Sequence, residues 1–107
     1  MSRRRLILRR QVPADLLDIH DHIAKDNIKV AVRFLNNVRG TPDRLVQVPG
    51  MGSLKSFRLK LREVRSWPVE GFPNHLVYYR FTPNALIVPA VIHGSGDVSR
   101  ILRRRRP

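Results

Sequence analysis

The sequence predicts a single α+β domain in which a helical hairpin precedes most of a β-sheet. Three observations support this: the length of 107 residues suits one domain, the hydrophobic period changes once along the chain from helical to alternating, and no internal repeat is present. A single change of period favours segregated helices and strands over repeated βαβ units.

The first elements are a short strand and an amphipathic helix. Residues 5–9 have a mostly apolar centre between arginines, which indicates a strand. Pro13 suits the first turn of the helix, and Asp15 suits its positive end. The apolar positions of the helix repeat at i, i+3 and i+7, and they are Leu16, Ile19 and Ile23. His20 and His22 lack further ligands at metal-binding spacing, so we expect them to pack or to face solvent.

A second amphipathic helix follows after a turn at Asp26 and Asn27, so the two helices must be antiparallel. Its apolar positions are Ala31, Phe34, Leu35 and Val38. Residues 40–43 interrupt the pattern, and we expect the helix either to kink there or to stop and restart before Leu45. Residues 49–52 are expected to form a flexible loop.

The second half of the chain alternates as strands do. In residues 56–64, SFRLKLREV, Phe57, Leu59 and Leu61 point one way, and Arg58, Lys60 and Arg62 point the other. Residues 76–81 and 86–92 predict two more strands joined by a turn at 82–85. Pro89 has no N–H to donate, so the last strand should be an edge or contain a bulge there. Residues 66–75 are expected to be a loop whose Trp67 and Phe72 fold back on the core.

The cationic face of residues 56–64 suits phosphate or an acidic protein. Like charges at alternate positions repel one another unless an anion lies over them, although a solvated sheet face has the same pattern. Tyr78 and Tyr79 are adjacent on a strand, so only one of them faces the core. The other, near Arg80, either packs against the protein or forms a contact surface.

His93 ends the last predicted strand and has two possible roles. Its imidazole could act as a general acid or base in cleaving a phosphodiester. Alternatively, it hydrogen-bonds a neighbouring loop, with Asp97 as the expected partner, and we favour this structural role. Asp97 is also placed to cap a short C-terminal helix through Leu102. The sequence contains no P-loop, zinc motif or nucleophile elbow, so we expect no metal and no cofactor.

The net charge of +13 comes from 21 Lys and Arg residues against 8 Asp and Glu residues. Nine of the positive charges lie near the ends of the chain, which leaves +4 for the rest, and these nine are Arg3, Arg4, Arg5, Arg9, Arg10, Arg103, Arg104, Arg105 and Arg106. Such a surface attracts polyanions with an affinity that falls as salt rises. The arginines of the predicted tail, residues 103–107, contact nucleic acid, face an acidic partner or remain solvated.

Cysteine is absent, which excludes disulfides and thiolate sites and fits a reducing compartment. The longest apolar run near the N-terminus, residues 6–8, is too short for a signal peptide or a membrane span. We therefore expect a cytoplasmic protein that does not associate with membranes.

The order of these segments resembles the RelE/ParE superfamily of toxins from type II toxin–antitoxin modules, and its ParE branch in particular. The resemblance covers ADLLDIHDHIA, AVRFLNNV, VPGMG, LREVRSWPVEGFPNHLVYYR, and VIHGSGD followed by IL. It implies a helical hairpin packed on an antiparallel sheet, here of three or four strands. It also implies a cognate antitoxin as partner, in a hetero-oligomer.

The resemblance implies two alternative activities. RelE-like toxins cleave messenger RNA on the ribosome, and Lys60, Arg62 and His93 match their basic and C-terminal positions. However, Gly96 stands where the family usually has arginine, and no tyrosine follows His93, so fewer groups would stabilise a developing phosphorane. ParE-like toxins inhibit DNA gyrase, which is the function we expect. A degenerate member that binds only its antitoxin is the third alternative. The expected target or nucleic-acid contacts are Arg58, Lys60, Arg62, Arg80, Arg103, Arg104, Arg105 and Arg106.

Overall fold

The structure, a computed structural model, describes residues 4–55 and 63–105. The strands are β1 (Arg5–Leu8), β2 (Ser53–Lys55), β3 (Val64–Val69), β4 (Phe72–Phe81) and β5 (Ala85–His93). The helices are α1 (Val12–Ala24), α2 (Ile28–Gln47) and α3 (Val98–Arg105), with a 3₁₀ turn at Pro49–Met51. The predicted strand over residues 56–64 lies outside the described residues, except for its last two positions.

The described strands form one mixed sheet in the order β1-β5-β4-β3-β2. The α+β class is confirmed, but the sheet differs from the predicted three or four antiparallel strands, because the described residues form five strands and β1 pairs parallel to β5. The helical hairpin and strands β2 to β4 lie between β1 and β5 in the chain, and β5 lies parallel to β1 in the sheet. Strand β2 was missed because three residues are too few to show a period.

The helical hairpin is confirmed, and it packs on one face of the sheet. Asn27 begins α2 by accepting a hydrogen bond from the Val30 amide at 3.1 Å. Of the two outcomes expected at residues 40–43, the stop does not occur, because the helix continues through Pro42, which is buried together with Thr41. Thr41 Oγ1 donates to the Asn37 carbonyl, and packing of this turn offsets the backbone hydrogen bond that proline cannot make.

Residues 49–52 are not a flexible loop, because Tyr79 fixes them from β4. Its hydroxyl donates to the Pro49 carbonyl at 2.6 Å and accepts from the Gly52 amide at 2.9 Å. Gly52 is required here, since a β-carbon would lie 2.9 Å from the Ser66 carbonyl oxygen and against the Tyr79 hydroxyl.

Residues 66–75 are not a loop either, because they form most of the β3–β4 hairpin. Glu70 and Gly71 form the turn, and Gly71 adopts a positive φ of 81°. The pairing shifts at Pro68, where the strand tolerates a missing donor. Trp67 and Phe72 pack against the core, as expected.

The bulge predicted around Pro89 is confirmed. The β4–β5 register shifts between Tyr78 and Arg80, opposite this part of β5. The β1 pairing ends at Val88, so β5 is a central strand before Pro89 and lies beyond the β1 ladder after it.

Helix α3 forms a second apolar cluster on the sheet. This cluster comprises Val64, Tyr78, Ala90, Val98 and Leu102, whereas Tyr79 lies in the main core with Phe34 and Leu45. Both tyrosines are therefore buried, and the short C-terminal helix predicted through Leu102 brings that residue into the buried cluster. In the described part of the chain, no helix is long and apolar enough to cross a membrane.

Candidate functional site

A cationic cleft lies where β3 begins and β4 ends. It has a volume of about 490 Å³ and is lined by Glu63, Arg65, Arg80, Phe81 and Thr82. Pairing of Arg65 with Tyr79 brings these strand ends together. We call these five residues, together with Arg4, the Phe81 cleft.

The exposed ring of Phe81 lies between two arginines. The guanidinium carbons of Arg4 and Arg65 lie 5.4 and 6.0 Å from the ring centroid. Backbone carbonyls hold both cations, since Arg4 Nε donates to Thr82 at 2.8 Å and an Arg65 Nη donates to Gly52 at 2.9 Å. Fixed cations around an apolar ring suit an anionic partner that also offers apolar surface.

Arg80 is the one predicted contact residue that the structure places in this cleft. It is buried, in contrast to the exposed position that a contact role suggested. Arg4 and Arg65 were not among the contact residues predicted from the sequence. They come from distant parts of the chain. The sequence feature that pointed to this surface was Phe81, which ends an apolar strand directly after Arg80.

Three predicted residues, Arg58, Lys60 and Arg62, lie outside the described residues. Of the possible ribonuclease set, the structure therefore describes His93 alone. Arg106 also lies outside the described part of the chain.

The structure places His93 in a turn and beside a second histidine. The His93 Nδ1 accepts a hydrogen bond from the Ser95 amide at 3.0 Å, and the Ser95 hydroxyl oxygen lies 2.6 Å from the same nitrogen. The prediction that His93 pairs with Asp97 is wrong, because the turn brings Ser95 to the His93 ring instead. Asp97 instead caps α3, as predicted, by accepting from the Arg100 amide at 3.3 Å.

His75 faces His93 across the β4–β5 pair, with ring centroids 5.1 Å apart. Burial lowers the pKa of His75 below its ordinary value, and the nearby His93 and His22 lower it further. Within residues 4–55 and 63–105, no group of three histidine, aspartate or glutamate residues could hold a metal ion.

The described arginines at the end of α3 do not all project into solvent. Arg103 and Arg104 are exposed on α3, but Arg105 turns back toward Asp15 of α1. Its two terminal nitrogens donate to the two carboxylate oxygens at 2.5 and 2.8 Å, and one of them also donates to the Pro89 carbonyl at 3.1 Å. This bidentate pair was missed, although Asp15 lies on the same helical stripe as Val12 and Ile19 and therefore required a buried partner.

Residues 6–98 match the family described as the ParE toxin of the type II toxin–antitoxin system parDE. The chain belongs to the ParE toxin family. The resemblance to the ParE branch is thereby confirmed, and the matched range covers every strand except the first residue of β1, together with the helical hairpin.

The ParE assignment agrees with the fold of a solved structure described as a chromosomal ParDE toxin–antitoxin system from P. aeruginosa. The TM-score is 0.66 and the identity is 19%, with 84% of this chain and 95% of that chain covered. At this identity the likeness shows a shared fold. No curated protein sequence matches the chain.

Proposed function

We propose that this ParE-family chain is the toxin of a toxin–antitoxin pair, and that it inhibits DNA gyrase until a cognate antitoxin neutralises it. The family match over residues 6–98 carries the proposal, because it includes the helical hairpin and the sheet. The shared fold supports it. Gyrase is favoured over the ribosome because inhibition of gyrase is the activity that the ParE branch implies.

The Phe81 cleft is the surface proposed to contact gyrase. Aromatic residues and arginine are enriched at the energetic centres of protein interfaces, and both occur here. Phe81 lies in the β4–β5 ladder, and hydrogen bonds fix the side chains of Arg4 and Arg65. The cations favour an acidic surface on the target. We propose that further predicted residues also contact the target, and these are Arg58, Lys60, Arg62, Arg103, Arg104 and Arg106.

The antitoxin is proposed to bind through an acidic segment that covers the helical hairpin and the sheet edge. The hairpin exposes the apolar side chains of Leu17, Ile28 and Val32, and edge strand β1 exposes Leu6 and Leu8. An amphipathic acidic segment would cover these side chains and balance the charge of +13. Its affinity should fall as salt rises, and a constant affinity would contradict the electrostatic part.

The test is inhibition of plasmid supercoiling by purified gyrase. Phe81→Ala should raise the half-inhibitory concentration by about tenfold or more, as loss of an interface anchor does. Leu17→Ala is the matched control, since it removes an exposed apolar side chain from the hairpin and should leave gyrase inhibition unchanged. Melting temperatures of both variants separate a lost contact from a lost fold.

Two other results would refute gyrase inhibition. Cleavage of messenger RNA during translation, without any effect on gyrase, would establish a ribonuclease. Inactivity in both assays by a folded chain that binds its antitoxin would establish a member that has lost toxicity.

A further inference from the structure

Arginines from the two ends of the chain meet at a second cleft, away from the Phe81 cleft. This cleft has a volume of about 510 Å³ and is lined by Leu8, Arg9, Arg10, Gln11 and Arg105. We call Arg9, Arg10 and Arg105 the arginine cleft. Its residues come from the β1–α1 connection and from the end of α3.

Backbone hydrogen bonds fix the connection that carries Arg9 and Arg10. The Arg9 amide donates to the Val88 carbonyl at 2.9 Å, which continues the β1 ladder by one residue. The Val12 amide donates to the Arg9 carbonyl at 2.9 Å, which closes the turn into α1. The two cations therefore extend from a fixed backbone rather than from a free terminus.

Charge in the arginine cleft is only partly compensated. The Asp15 carboxylate neutralises Arg105, with which it forms a bidentate pair. Among the described residues, no acidic group forms an ion pair with Arg9 or Arg10. The exposed Arg103 and Arg104 precede Arg105 on the same helix and add to the positive potential.

We propose that the arginine cleft binds the phosphate backbone of double-stranded DNA without reading its sequence. The planar guanidinium group matches phosphate oxygens in pairs, and all nine charges near the chain ends are arginines. Contacts to phosphate fix a position on the duplex but carry no base information. Of the residues lining the cleft, Leu8 alone offers an aliphatic side chain without a polar group, so an acidic peptide would find little surface for its own apolar groups.

This activity goes beyond the proposed function, because a protein can inhibit gyrase without touching DNA itself. Direct contact would add affinity for a target enzyme that holds DNA. It would also make the toxin's action depend on salt in a way that contacts between the two proteins alone do not require.

The test measures binding of the full chain to a short labelled DNA duplex by fluorescence anisotropy, over a range of salt concentrations. The double variant Arg9→Gln/Arg10→Gln should reduce the slope of log affinity against log salt by about two, one for each lost phosphate contact. The control Arg33→Gln/Arg39→Gln removes the same charge from exposed positions on α2 and should change the slope far less.

Equal losses in the two double variants would show diffuse attraction by net charge and would overturn the proposal. Poly-glutamate provides a second arm: if the Arg9/Arg10 variant lost affinity for it as strongly as for DNA, the cleft would be a site for acidic protein. Supercoiling assays keep the two proposals separate. A variant that no longer binds DNA but still inhibits gyrase leaves the proposed function intact, whereas a chain that binds DNA without inhibiting gyrase refutes only that function.

Discussion

Replacing Arg105 by Gln should destabilise the whole domain, because it breaks the contact that joins α3 to α1 and β5. The Asp15 side chain is 7% exposed and the Arg105 side chain 18% exposed. Asp15 also accepts a hydrogen bond from the Val91 amide at 3.1 Å, beyond the end of the β1 ladder. Without Arg105, the carboxylate keeps that single donor in a buried position.

The size of the effect follows from this geometry. Removing one partner of a fully buried ion pair costs about 3–5 kcal/mol, and the partial exposure of Arg105 and the remaining Val91 donor reduce this to about 2–3 kcal/mol. For a domain of this size, about 4 °C is lost per kcal/mol, so the melting temperature should fall by about 8–12 °C. Asp15→Asn should cost less, because the amide oxygen keeps the Val91 bond and Arg105 can turn to solvent.

Thermal unfolding followed by circular dichroism measures this effect, with Arg104→Gln as the matched control. That change removes the same charge from an exposed neighbour on α3 and should cost less than about 0.5 kcal/mol. The double variant Asp15→Asn/Arg105→Gln should cost less than the sum of the single changes, since both act on one pair. If Arg105→Gln and Arg104→Gln melt at the same temperature, the ion pair contributes nothing and the reasoning is wrong.

Three further changes test other contacts. Gly52→Ala should lower the melting temperature, because the added β-carbon would press on Tyr79. Gly40→Ala should instead stabilise the protein by about 0.5–1 kcal/mol, because Gly40 lies in mid-helix with open space around it. A Gly52→Ala protein that melts above the Gly40→Ala protein would contradict the assigned packing. Because the pKa of His75 is lowered in the folded protein, the unfolded chain protonates this histidine first as the pH falls. The free energy of unfolding should therefore fall as the pH drops from about 6.5 toward the lowered pKa. His75→Gln should flatten this part of the plot of melting temperature against pH, and an unchanged plot would exclude His75 as the cause. His93→Gln should leave gyrase inhibition largely intact while costing about 1 kcal/mol of stability through its lost turn contact; abolished toxicity in a folded variant would instead favour the ribonuclease alternative.

Hydrophobic period was sufficient to predict the hairpin and the last two strands, because long elements repeat their pattern several times. It failed over residues 66–75, where Pro68, Gly71 and Pro73 are typical of a loop. In the structure, Pro68 lies at a register shift and Gly71 supplies the positive φ of a tight turn. Pro68 and Gly71 each lie at a position typical of their residue type, but pairing between the strands on both sides of the turn makes residues 66–75 a hairpin and not a loop.

The sites were harder to predict than the fold, because they depend on contacts between distant parts of the chain. Arg4 reaches a carbonyl 78 residues away, and Arg105 reaches a carboxylate 90 residues away. A sequence pattern shows that a buried Asp15 needs a cation, but not which of many arginines supplies it. The predicted hydrogen-bond partner of His93 was wrong for a different reason, because the turn geometry that selects Ser95 over Asp97 is not visible in the sequence spacing.

Two arginines near the ends of the chain, Arg4 and Arg105, contact residues of the core fold. The family match covers residues 6–98, so Arg4 and the arginines of α3 lie outside it. Yet Arg4 packs against Phe81, and Arg105 binds Asp15, which lies inside the matched range. Gathering so many like charges costs free energy in the isolated protein, and Asp15 offsets the charge of Arg105 alone. A bound polyanion would relieve the remaining repulsion, and the two clefts are where we propose that it binds.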